Sequence, residues 1–150
     1  MLREDIQNAL KEAMKSKDML EVNAIRMIIA GLKEKDVDAR GKGNKEATDA
    51  DLLAMMQTMI KQRRESIEMF ISGSRPELAE KEEKEIKIIE RFLPKQLPAD
   101  EVQAAVKAVI SSVGATSMKD MGKVMSQLRT QYAGQMDFGA VSAIIKSLLS

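Results

Sequence analysis

Two prolines four residues apart, Pro94 and Pro98, cut a chain that is otherwise helix-periodic almost from end to end. Proline lacks the amide donor, clashes with the preceding turn and turns the residue before it away from helix, so no helix runs through LPKQLP (93–98). On both sides apolar residues recur at the spacing of one helix face. Leu2, Ile6, Leu10 and Ala13 form the first stripe. Leu20, Val22, Ile25, Ile28, Ile29 and Leu32 form the second, behind Asp18 as N-cap, and predict a helix to about Asp38. ARGKGNKEA (39–47) has two Gly, one Asn and no apolar stripe, and reads as a loop. Thr48 and Asp51 imitate a capping box and open a helix to about Ser72, with Leu52, Met56, Met59, Ile60, Ile67 and Phe70 inward and Gly73 as a C′ stop. Ser74, Pro76 and Glu77 predict the next helix start. Its apolar face is Leu78, Ile86, Ile89 and Leu93, with Phe92 beside them.

Beyond the prolines three short helices are predicted. The first spans about 99–113 and ends at Gly114. The second spans about 118–131, opened by Ser117 with Asp120 at N3 and ended near Gly134. The third spans about 138–149 behind Asp137 as N-cap. There is no strand signal and no internal repeat. The fold class is all-α: an N-terminal domain of long helices (1–93) followed by a C-terminal three-helix domain (94–150).

The residues available narrow the chemistry. Cysteine and histidine are both absent, which removes thiolate and imidazole nucleophiles, bases and metal ligands. No metal and no cofactor is expected. Net charge is +1, too small to steer the whole chain to nucleic acid or membrane. The N-terminal segment is charged from Arg3 onward, unlike a secretory signal, and no apolar run is long enough to span a bilayer, so a cytoplasmic location is the default expectation. Charge is uneven: residues 1–93 sum to −1 and residues 94–150 to +2. In the C-terminal part Asp120 and Asp137 are consumed as caps, which leaves Lys119, Lys123, Arg129 and Lys146 largely unopposed.

Four segments carry candidate chemistry. Glu80, Glu82, Glu83 and Glu85 supply carboxylates, but on a highly charged helix solvent would hold them near ordinary pKa values, without the burial a poised acid needs. RGKGNK (40–45) has the residue types of a phosphate loop without its spacing or preceding strand, and reads as a basic surface loop. Lys61-Gln62-Arg63-Arg64 puts Arg63 on the apolar stripe between Ile60 and Ile67. Either Arg63 pairs with Glu85 or Glu90 at the core's edge, or Lys61, Arg63 and Arg64 meet phosphate or a partner protein. In Met118–Met125, Gly122 sits inside a helix, where Gly costs about 1 kcal/mol relative to Ala. That points to close approach of another backbone or of a ligand. Lys119 and Lys123 beside it read either as solvated lysines or as contacts for RNA phosphates. No aromatic platform stands near them in sequence, so base-specific reading of single strands is not expected.

AIRMIIAGLK (24–33), KQRRESIEMF (61–70), ERFLPKQLPADEV (90–102) and VGATSMKDMGKVM (113–125), followed by Asp137 and an apolar last helix, resemble the GatB/YqeY family, in its free-standing YqeY-like form. The likeness covers essentially the whole chain. It implies long N-terminal helices and a C-terminal three-helix domain, a pair similar to the tail of the B subunit of tRNA-dependent amidotransferase. That enzyme is a carbon–nitrogen ligase using glutamine as amido donor; its tail is associated with tRNA, and the chemistry lies elsewhere. Ser126 stands where the family often has a second Gly, Pro98 where it often has Ser. Gln135-Met136-Asp137-Phe138-Gly139 replaces a common turn that carries a basic residue.

The resemblance implies a non-catalytic module that docks tRNA, or a translation-related complex, through the C-terminal helices. An adaptor without RNA is the alternative, with Met55, Met56 and Met59 as an adaptable surface. An amidotransferase in its own right is disfavoured, because ammonia transfer from glutamine needs a nucleophile and a nucleotide site.

Overall fold

The computed structural model describes all residues, 1–150, and is helical throughout apart from turns. Seven α-helices follow in order: α1 (Leu2–Ser16), α2 (Met19–Gly41), α3 (Asp49–Ser72), α4 (Pro76–Glu90), α5 (Ala99–Val113), α6 (Met121–Gln131) and α7 (Phe138–Leu149), with a 3-10 turn at Met118–Asp120. They fall into two compact units, Met1–Pro94 and Lys95–Ser150. No helix is long and apolar enough to cross a membrane.

In the N-terminal unit the stripes of α1 to α4 converge on one core of Ile6, Ala13, Val22, Ile25, Ile28, Met55, Met56, Ile60, Ile86 and Ile89. Each fully buried Ile or Met contributes about 1.5–3 kcal/mol through apolar area removed from water. Gly31 lets α2 and α3 approach: a Cβ there would meet Met55 Sδ at 2.7 Å. The C-terminal unit closes α5, α6 and α7 around Val106, Val109, Val124, Leu128, Met136, Val141 and Ile145. Its leading segment is tied down by backbone, with the Leu97 N–H donating to Gln135 O at 3.0 Å.

Side-chain caps open α2, α3 and α7. The Asp18 side chain accepts from Glu21 N–H at 3.2 Å. Thr48 and Asp51 form a reciprocal capping box, at 3.1 and 3.0 Å. Asp137 accepts from Gly139 N–H at 2.9 Å.

Five sequence expectations are corrected. Helix α2 continues three residues past Asp38, because Ala39 is buried with Ala47 and Leu52. It ends in a Schellman pair, Gly43 N–H to Arg40 O and Asn44 N–H to Ala39 O, with Gly43 at φ 87°. Gly73 is not the left-handed C′ residue: its φ is −86°, and Ser74 takes φ 59° one position later. Ser74 is therefore spent ending α3 and does not cap α4, whose N-cap Arg75 has no side-chain bond. Leu78 lies on the rim of the α4 face at 36% exposure. The second C-terminal helix starts as the 3-10 turn before α6.

A side chain with a Cβ in the left-handed region is strained. Ser74→Gly is expected to raise stability by about 0.5–1 kcal/mol, the strain relieved less the extra chain entropy of glycine. Urea unfolding would show it as a higher midpoint at unchanged slope.

Candidate functional site: a cationic helix face

The C-terminal lysines share one face. Lys119, Lys123, Ser126 and Thr130 recur at i, i+4, i+7 and i+11, and all are exposed. Val124 and Leu128 point the other way into the core. Helix α6, MGKVMSQLRTQ, contains no carboxylate. The nearest acid, Asp120, turns back to accept from Thr116 N–H at 2.9 Å and Ser117 N–H at 3.4 Å. These backbone bonds, with a smaller contribution from Lys123, hold its carboxyl below the ordinary Asp value, so it stays ionised and fixed at the helix start.

Gly122 is not explained by packing within the chain. It is exposed, and a Cβ built there meets nothing within 4 Å. The backbone is thus bare on the side that carries the two lysines. Arg129 is exposed on the flank of this face, its Cζ 5.9 Å from the centre of the Phe138 ring. No helical spacing places an aromatic beside the cations, because Phe138 lies across the α6–α7 turn. Lys146 is exposed in the last turn of α7. None of these four cations forms an ion pair.

The basic run of α3 is built differently. Arg63 is only 7% exposed. Its Nε donates to Glu85 Oε2 at 2.9 Å, its Nη1 to Met59 O at 3.3 Å and its Nη2 to Met27 Sδ at 3.3 Å. It is therefore a core ion pair, not a phosphate contact. Arg64 lies 3.6 Å from Glu90, and Lys61 is exposed. The three do not form one surface. Glu82 departs from the ordinary range expected for it: burial first, and the charge of Glu85 second, push its pKa up. Met55 and Met56 are buried in the core and Met59 is half-buried, so they offer no adaptor surface.

The N-terminal unit also has an open cleft of about 360 Å³ beside the 42–47 loop. Lys35 and Lys42 line it together with Asp38 and Asp51, so its charges cancel and a polyphosphate gains nothing there. One constellation escaped sequence reading altogether. Asp36, 8% exposed, accepts from both Arg3 nitrogens (2.9 and 2.6 Å) and from Ala47 N–H (2.9 Å), while Arg3 also donates to Ala47 O at 2.8 Å.

Fold and face together define a class: small all-helical proteins of two units, with a carboxylate-free cationic helix in the second. Within that class the chain belongs to the Yqey-like protein family, whose model matches residues 3–149. Among curated relatives it is similar to "Altered inheritance of mitochondria protein 41, mitochondrial" of Lachancea thermotolerans, 34% identical over 95% of this chain and 76% of the relative. The protein of that name from Eremothecium gossypii is 30% identical over 94% of this chain and 76% of the relative. The one from Candida glabrata is 37% identical over 63% of this chain and 50% of the relative. None of these three names is an enzyme's. All three say mitochondrial, which overturns the cytoplasmic location expected from the charged N-terminal segment.

Proposed function

We propose that this protein is a non-catalytic docking module for transfer RNA, serving tRNA-dependent amidation in the manner of the amidotransferase tail it resembles. The observation that carries the reading is the exposed face of Lys123 and bare Gly122 on the carboxylate-free helix α6, continued by Lys119 in the 3-10 turn that leads into it. Phosphates approaching that face meet two cations about one turn apart, and the one carboxylate between them, Asp120, is turned back onto the Thr116 and Ser117 amides. The missing β-carbon at Gly122 lets a ribose–phosphate chain lie close to the helix backbone. Such contacts position an RNA and read no sequence. Carbon–nitrogen bond formation would belong to a partner enzyme, since neither Cys nor His is available here.

With two or three phosphates neutralised, affinity should fall about 12- to 40-fold between 50 and 200 mM salt. Lys119→Glu with Lys123→Glu should weaken tRNA binding about tenfold or more and flatten the salt dependence, with helicity unchanged. Fluorescence anisotropy of labelled tRNA against salt measures both. Affinity indifferent to salt, or a double variant that binds as wild type, would remove RNA as the partner.

A protein adaptor without RNA is the second reading. It is favoured by large apolar side chains left in solvent at the helix turns, Met14 and Met19 at one, Met69 and Ile71 at another. Capture of a protein partner that survives both nuclease and high salt would favour it.

A further inference from the structure

Phe138 opens α7 and packs part of its ring against the C-terminal core, so the ring is held rigidly at the surface. Arg129 reaches across from the last turn of α6, its Cζ 5.9 Å from the ring centre. Arg129 has neither an ion pair nor a hydrogen bond within the chain, and the Phe138 ring is the group its guanidinium faces. A guanidinium on an aromatic ring is a flat, weakly hydrated surface whose outer side can take another π system. Its N–H donors stay free at the edge.

We infer that the Arg129–Phe138 pair is a stacking platform for one unpaired nucleobase, at the end of the phosphate track marked by Lys123 and Lys119. The inference rests on the RNA reading above and narrows it from any RNA backbone to a looped or single-stranded segment. Lys119, in the 3-10 turn, and Lys123 lie about one turn apart, and Lys123 to Arg129 is about 9 Å along α6. One strand can therefore lay a phosphate on each lysine and turn its next base onto the guanidinium. A base kept inside a duplex cannot reach it, because both its faces are already stacked. Any preference among bases would be slight, since every base has a π face.

The test compares a short oligouridylate carrying one 2-aminopurine, whose bases are largely unstacked, with the same strand paired in an RNA duplex. The wild-type protein should quench the 2-aminopurine and prefer the single strand. Arg129→Lys keeps the charge and loses the plane; it should weaken single-strand binding about five- to tenfold and leave duplex binding within about twofold. Phe138→Leu should do the same. Because Phe138 also packs against the core, the exposed Arg129→Lys variant is the one that decides. If wild type binds both RNAs alike, without a fluorescence change, or Arg129→Lys binds the single strand as wild type does, the platform is overturned and the phosphate face stands. If neither RNA binds, both fall together.

Discussion

Arg63→Ala is expected to destabilise the N-terminal unit by about 3–5 kcal/mol, a large share of what a domain of this size has. The cost comes less from the lost cation than from what is left behind. Glu85, with 13% of its side chain exposed, would keep its charge beside Glu82 with no counter-ion. Met59 O would lose a donor as well. The apolar stem of Arg63 fills space between Ile60 and Ile67, so Arg63→Met should cost less than Arg63→Ala while still stranding Glu85. Adding Glu85→Gln to Arg63→Met should restore part of the loss, with a coupling energy of about 1–3 kcal/mol. Urea unfolding of the single and double variants measures the cycle. Additive losses would mean that the pair does not act as a unit. In conditions where the variant is still folded, its tRNA affinity should equal that of wild type, because Arg63 has no free face to offer a phosphate.

What the sequence made legible was local. The Thr48–Asp51 box, the Asp18 and Asp137 caps and the apolar stripes each need only residues within a turn or two, and apart from Leu78 on the rim of α4 they appear in the structure. Arg63 was visible as a charge interrupting a stripe, yet its two readings could be separated only by the packing of α4, 22 residues on, against α3. The Ser74 error has a related cause. Gly73 and Ser74 both suit a helix end, and which one takes positive φ depends on where α4 must leave. Of the two explanations open for Gly122, close approach of another backbone or of a ligand, the structure removes the first within this chain, since its β-carbon position opens on solvent and not on a neighbouring helix. The methionines of α3 show the limit from the other side: composition cannot tell a core-filling Met55 from an exposed Met69. Arg129 and Phe138 are nine positions apart on two helices, and no single-helix period brings them together.

Asp36 was hidden for the same reason, its partners lying 33 and 11 residues away, and it gives the second large expected effect. Asp36→Asn should cost about 3 kcal/mol at pH 7: the new amide turns an N–H toward one Arg3 nitrogen and removes the buried counter-ion, so the half-buried guanidinium keeps only the Ala47 carbonyl and the exposed Glu46 carboxylate as partners. The variant should also free the 42–47 loop, since Asp36 and Arg3 together hold both the N–H and the carbonyl of Ala47. The cost must depend on pH in a definite direction. Hydrogen bonds from Arg3, and next from the Ala47 amide, pull the Asp36 pKa from 3.8 down to about 2. A depressed carboxyl pKa means that the unfolded chain takes up the proton first. The stabilisation is therefore complete above about pH 4 and is lost as the pH falls from there towards 2. Wild type should accordingly lose more stability than Asp36→Asn over that range, and the two should converge near its lower end. Urea unfolding followed by circular dichroism at pH 7, 4 and 2.5 tests it. A gap that stayed constant down to pH 2.5 would show that the carboxylate charge of Asp36 contributes nothing to holding α1, α2 and the loop together.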